Sequence, residues 1–177
     1  MSVRRKLIRE LSTDLLVKHN IVKAPVDVES LAHVLHVDVR KSHVEGDISG
    51  FLYRDHDKSA AVIGVNSRHH HNRQRFTIAH ELGHFLLHTG DKVHVDHGFE
   101  VRLRNDESSQ GTNLDEKEAN LFAAELLMPK SFIERDLEEI GAVDLNDERT
   151  IKTLAEKYRV SSHALAFRLA YLGYVEQ

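Results

Sequence analysis

The sequence predicts an α+β fold with a small antiparallel sheet packed against one central helix and further helices at the C-terminal end. Two observations carry this. Apolar residues recur at three-and-four spacing around 3 to 18, 73 to 88 and 115 to 128, while runs near 37 to 44, 48 to 54 and 60 to 65 alternate and are rich in Val, Ile, Phe and Tyr. The 177 residues, 41% apolar and 29% charged with only 2 Pro, have the profile of an ordered globular chain and exclude disordered and collagen-like classes.

Taken in order, Val3, Leu7, Ile8, Leu11, Leu15 and Leu16 form the apolar stripe of a first helix, with Arg4, Arg5, Lys6 and Arg9 as a basic edge at its start. Asp27 can cap a second helix bearing Val28, Leu31, Ala32 and Leu35. The three extended runs follow, separated by Gly46-Asp47 and Asp55-His56-Asp57, and read as an antiparallel meander. From Arg73 to His88 a helix is apolar on most of its surface and belongs in a core. Residues 89 to 113 read as a long surface excursion. Asp115 is expected to cap a helix that Pro129 stops, Ser131 with Glu134 suggests a capping box, and Thr150 to Leu172 reads as two short helices. The expected division is 1–130 as the main domain and 131–177 as a helical extension.

Charge and composition narrow the function classes. With 24 Lys+Arg against 28 Asp+Glu the net charge is −4, unlike a bulk nucleic-acid binder. No cysteine is present, so disulfides, thiolate zinc sites and a cysteine nucleophile are all excluded. The basic start is followed by no apolar signal-peptide region, and no apolar run approaches the ~20 residues needed to span a bilayer, so a cytoplasmic protein without a membrane partner is expected. The 14 His are the surplus that demands a role.

His80-Glu81-Leu82-Gly83-His84 lies inside the apolar helix. Residues four apart share a helical face, so both imidazoles can converge on one ion with Glu81 beside the open coordination position, the geometry of zinc peptidases. Two His and a carboxylate leave the fourth place on zinc to water, whose proton the glutamate accepts. In a shuffled chain of this composition the pattern would arise roughly one time in ten, so context must decide. The motif sits mid-helix among apolar residues, where two histidines and a glutamate without a joint task would be costly to bury.

A third ligand is expected from Asp115-Glu116-Lys117-Glu118-Ala119-Asn120. Glu116 is the choice, because Glu116 and Asn120 share a helical face, letting the carboxylate bind zinc while the amide oxygen orients a liganding histidine. Glu118 points elsewhere on the wheel and reads as a solvated charge, with a ligand role as its alternative. His88 lies about 12 Å along the axis from His80, too far to share its ion, and is read as a helix-end residue. His69 to His71, His94 and His97 are assigned to loops without a role. The segment from Leu154 to Ser161 has helix-turn-helix spacing, but its second helix is too apolar to read bases well, so DNA binding is possible but not favoured over core packing.

Arg73-Gln74-Arg75-Phe76-Thr77-Ile78-Ala79 leading into His80 to His84, together with Glu118-Ala119-Asn120-Leu121-Phe122-Ala123-Ala124-Glu125-Leu126-Leu127-Met128-Pro129, resembles the ImmA/IrrE family of zinc metallo-endopeptidases. Val26 to Val39, Ile48 to Phe51 and Ala61 to Asn66 extend the likeness over about 26 to 130, and the tail resembles the helix-turn-helix-like extension of some members. The resemblance implies a zincin-like core in which His80, His84 and a glutamate hold zinc and Glu81 is the catalytic base. It also implies a partner helix-turn-helix transcriptional repressor as substrate. The alternatives are a regulator-binding or DNA-binding module that cuts nothing, or the toxin of a toxin-antitoxin pair on the same metal-stabilised fold.

Overall fold

The computed structural model describes residues 2–46, 48–55, 60–89, 92–97, 112–141, 145 and 147–175. The helices are α1 (Arg5–Lys18), α2 (Val28–Val34), α3 (His71–Leu87), α4 (Thr112–Leu127), α5 (Lys130–Ile140), α6 (Glu148–Tyr158) and α7 (Ser162–Leu172). The strands are β1 (Val37–Ser42), β2 (Ile48–Asp55), β3 (Ala60–Asn66) and β4 (Val93–His97). The architecture is α+β, as expected.

The sheet order is β1-β3-β2-β4. β2 pairs antiparallel with β3 and with β4, but β1 runs parallel to β3, so the expected meander holds only from β2 to β3. The burial of the strands explains the correction. β3 is almost continuously apolar, with Ala61, Ile63 and Val65 buried, and suits an interior position. β1 carries exposed Asp38 and Lys41 and suits an edge, where charge discourages pairing with another chain. Within the stretch 89 to 113, read as a long surface excursion, Val93–His97 form β4 and join the sheet, while 98–111 lie outside the described residues.

Ile8, Leu15 and Leu16 of α1, Leu31 of α2, Leu52 and Ile63 of the sheet, Ile78 and Leu82 of α3, and Phe122 and Leu126 of α4 share one core. The same core includes Leu154, Tyr158, Leu165 and Leu169 of α6 and α7. The side chain of Asp27 accepts from the Ser30 N–H, capping α2 as expected. Ser161 caps α7 in the same way after Arg159 adopts the left-handed conformation that ends α6. Two capping expectations are corrected. α4 starts at Thr112, which puts Asp115 inside its first turn, where the carboxylate still complements the helix dipole. α5 starts directly after Pro129 with no side-chain cap, so Ser131 is already helical and the capping box does not form.

Candidate metal centre

α3 is buried from Thr77 through His84, and α4 crosses it where Gly83 meets Ala119. A Cβ at Gly83 would lie 3.0 Å from Ala119 Cα and 3.2 Å from its carbonyl oxygen. The missing side chain is what lets α4 approach closely enough for Glu116 to face the two histidines. Glu116 Oε2 stands 3.3 Å from His80 Nε2, Glu116 Oε1 stands 3.2 Å from His84 Nε2, and the two Nε2 atoms are 3.0 Å apart. Four donors around zinc, each about 2.0–2.1 Å away, lie about 3.3 Å from one another, so these separations fit ligands of a single ion. The donor set, nitrogen and oxygen without sulfur, suits zinc.

Each histidine is held from behind. His80 Nδ1–H donates to Asn120 Oδ1 at 2.9 Å, which leaves Nε2 with its lone pair facing the centre. His84 Nδ1 is 3.2 Å from His88 Nδ1, and His88 Nε2 is 3.1 Å from Glu118 Oε2. With both rings neutral, one tautomer set satisfies this chain. His84 Nδ1–H donates to His88 Nδ1, and His88 Nε2–H donates to Glu118.

Glu118 is therefore not the solvated charge the helical wheel suggested, being only 1% exposed. Its carboxylate accepts from Arg4 Nε at 3.0 Å, from Arg4 Nη2 at 2.5 Å and from the Arg4 backbone N–H at 2.8 Å. Asp115 approaches His88 at 3.5 Å, but with Arg4 already on both Glu118 oxygens this second acidic group has its cation. Arg4 Nη2 also donates to Leu87 O, and Arg54 of β2 donates to His84 O at 2.7 Å, so two guanidinium groups serve the carbonyl end of α3.

Glu81 is fully buried beside His80, on the side facing β2, where a Cβ at Gly50 would come within 3.9 Å of Glu81 Oε1. Burial pushes the His84 imidazole down to about 4 against the opposing pull of the facing Glu116 carboxylate, and neighbouring His80 and His94 push the same way as burial. The ring is thus neutral near pH 7, the form that binds metals. Burial alone would raise the Glu116 carboxyl, but the rings of His80, His84 and His94 that face it outweigh burial and hold the group ionised. Arg4 holds the Glu118 carboxyl down to about 2 against the effect of burial.

Residues 32–170 match the peptidase family M78 described as the IrrE N-terminal-like domain. The chain belongs to this IrrE-like family. It is 32% identical over 116 residues to the radiation response metalloprotease IrrE of Deinococcus radiodurans, covering 64% of this chain and 32% of that protein. The IrrE of Deinococcus deserti is 33% identical over 115 residues, covering 65% of this chain and 38% of the relative. The chain thus spans about a third of the length of the relatives it matches. A Mycobacterium tuberculosis transcriptional regulator shares the fold, with a TM-score of 0.62 at 14% identity, over 92% of this chain and 46% of that one.

Membership of an IrrE-like family and a His/Glu cluster able to hold a metal ion make this a candidate metal centre. No helix among the described residues is long and apolar enough to cross a membrane. In this IrrE-like domain the structure brings together His80, His84 and Glu116, sets Asn120 behind His80, and buries Glu81 next to them. Sequence reasoning missed two neighbours. His88 continues the four-residue spacing of His80 and His84, a signal that it backs the second histidine even though it cannot reach the ion. His94, assigned to a loop without a role, lies on β4 with Nε2 3.2 Å from Glu116 Oε1, and its ring centre is 4.0 Å from that of His84.

Proposed function

We propose that the chain is a zinc-dependent metallo-endopeptidase in which His80, His84 and Glu116 hold zinc, Glu81 is the general base and Asn120 orients His80. The observation that carries this reading is the convergence of both Nε2 atoms and the Glu116 carboxylate at 3.0–3.3 Å, with Glu81 buried alongside. When bound there, zinc would polarise a peptide carbonyl and lower the pKa of water. Glu81 accepts the proton of the attacking water on a carboxylate oxygen and returns it to the departing amide nitrogen, so the peptide bond is replaced by a carboxyl and an amine. Burial of Glu81 keeps its carboxylate from bulk water and strengthens its interaction with the developing charge.

The substrate we infer is a cytoplasmic helix-turn-helix transcriptional repressor, the partner implied by the family. A DNA-binding role for this chain itself draws little support from three of the arginines of its first and last helical segments. Arg4 is committed to Glu118, Arg9 lies 3.6 Å from Glu125, and Arg168 of α7 is buried against Glu125.

The test is cleavage of a candidate repressor by the purified chain, with zinc content measured in parallel. Glu81→Gln is expected to keep stoichiometric zinc and to lose cleavage by about 10²–10⁴-fold, the usual contribution of a general base. Full proteolysis by that variant would rule out the assigned mechanism.

A further inference from the structure

Among the described residues β4 is the edge of the sheet and is bonded to β2 alone, and its side chains alternate in exposure from Val93 to Val95. Val93 and Val95 are 50% and 37% exposed, whereas His94 between them turns toward α3 and α4. His94 Nε2 is buried, and among the described residues it meets no partner with hydrogen-bond geometry, although Glu116 Oε1 is 3.2 Å away. A buried ring nitrogen that faces a carboxylate at that separation without a well-directed hydrogen bond is poorly compensated for the water it has lost. The separation is nevertheless close to the edge of a zinc tetrahedron. Donor atoms of His80, His84, His94 and Glu116 all lie within 4.8 Å of one another.

We propose that His94 is a fourth and releasable ligand, closing the metal centre in the free protein. The inference rests on the metal-binding reading above and deepens it. Four protein donors make a closed centre of the structural kind, whereas three leave a position for water or substrate. One ligand must therefore leave before peptide can be cut, and the surroundings select which. His80 is fixed by Asn120 and His84 by His88, both on the buried face of α3. Glu116 faces both of those rings from α4. His94 sits on a five-residue edge strand whose pairing with β2 is irregular between Ile48 and Gly50, and its side chain is 30% exposed. A small displacement of β4 releases His94 alone and keeps the other three donors in place. Its chemistry suits the part, because a neutral imidazole adds no charge and binds zinc without displacing the Glu116 carboxylate.

The test replaces zinc by cobalt(II) in the wild type, His94→Ala and His94→Gln, and titrates each protein with azide while the visible absorption is followed. The wild-type spectrum is expected to resist azide and the spectra of both variants to respond. Zinc affinity, read by competition with a chelator, is expected to fall by at least about tenfold in both variants while one zinc per chain is retained. X-ray absorption of the zinc wild type supplies a reading independent of any variant, with three imidazoles expected rather than two. Two imidazoles in the wild type, or equal azide affinity in wild type and variants, overturns the proposal. If the wild type binds one zinc that His80→Ala loses, such results remove His94 alone and leave the three-ligand reading intact. A wild type that takes up neither zinc nor cobalt overturns both.

Discussion

His84 offers its Nε2 to the centre because of what stands on the other side of its ring. Its Nδ1 is 3.2 Å from His88, whose own Nε2 reaches Glu118 at 3.1 Å, and Glu118 is in turn neutralised by Arg4. An imidazole that donates from Nδ1 keeps its lone pair on Nε2, so with His88 as the acceptor this chain favours the metal-binding tautomer. His88→Ala removes the acceptor and is expected to weaken zinc binding by about 10–100-fold, measured by chelator competition, while the bound zinc count stays at one. His88→Gln, whose Oε1 can accept the same proton, should recover part of the loss. An unchanged affinity in His88→Ala would show that packing alone orients His84. The i+4 spacing made His88 visible in the sequence, but its task was not, because it depends on Glu118 and on Arg4, 114 positions from Glu118 along the chain. For the same reason Glu118 could be placed on a helical wheel but not recognised as buried.

Among the elements, the crossing of α3 and α4 is what brings the residues of the proposed centre together. Gly83 to Ala inside a helix ordinarily gains about 1 kcal/mol of propensity. Here the added carbon would face Ala119 Cα at 3.0 Å and its carbonyl oxygen at 3.2 Å, and a packed helix backbone cannot yield as a flexible side chain can. Gly83→Ala is therefore expected to destabilise the fold by about 1–3 kcal/mol, as overpacking does, and to weaken zinc binding because α4 carries Glu116. Denaturant titration of the zinc-free protein and chelator competition read the two effects separately, and a gain in stability would show that α4 shifts at little cost. Both helices were legible because their apolar period and the four-residue spacings His80/His84 and Glu116/Asn120 are local. β4 was not. Its apolar residues Val93 and Val95 point outward, so the pattern resembles a loop, and its partner β2 is some forty residues away. The parallel pairing of β1 with β3 was hidden similarly, although the unbroken apolar run of β3 was a sign of an interior strand.

At the scale of the molecule, α6 and α7 are tied to the helices that build the centre. Asn72, in the first turn of α3, donates to Val160 O at 2.9 Å, and Tyr158 OH donates to Asp136 of α5 at 2.8 Å. Arg168 of α7 reaches back to α4, donating to Met128 O at 3.0 Å and to both oxygens of Glu125. The side chains of Arg168 and Glu125 are almost completely buried, so their worth lies less in attraction than in the penalty of separating them. Arg168→Ala leaves a buried carboxylate whose remaining cation, Arg9, is 3.6 Å away and half exposed. The expected cost is about 3 kcal/mol, near the lower end for breaking a buried pair because Arg9 remains, and equivalent to roughly 6–12 °C in the thermal midpoint of a chain this size. Replacing both partners, Glu125→Met with Arg168→Met, should restore most of that loss, since the uncompensated charge is gone. Because the pair joins α7 to the helix that bears Glu116, circular dichroism and tyrosine fluorescence should report the lowered midpoint of Arg168→Ala as one transition. Two separate transitions, with the centre still intact after α7 has melted, would instead show that 131–177 unfolds independently of the helices that hold Glu116.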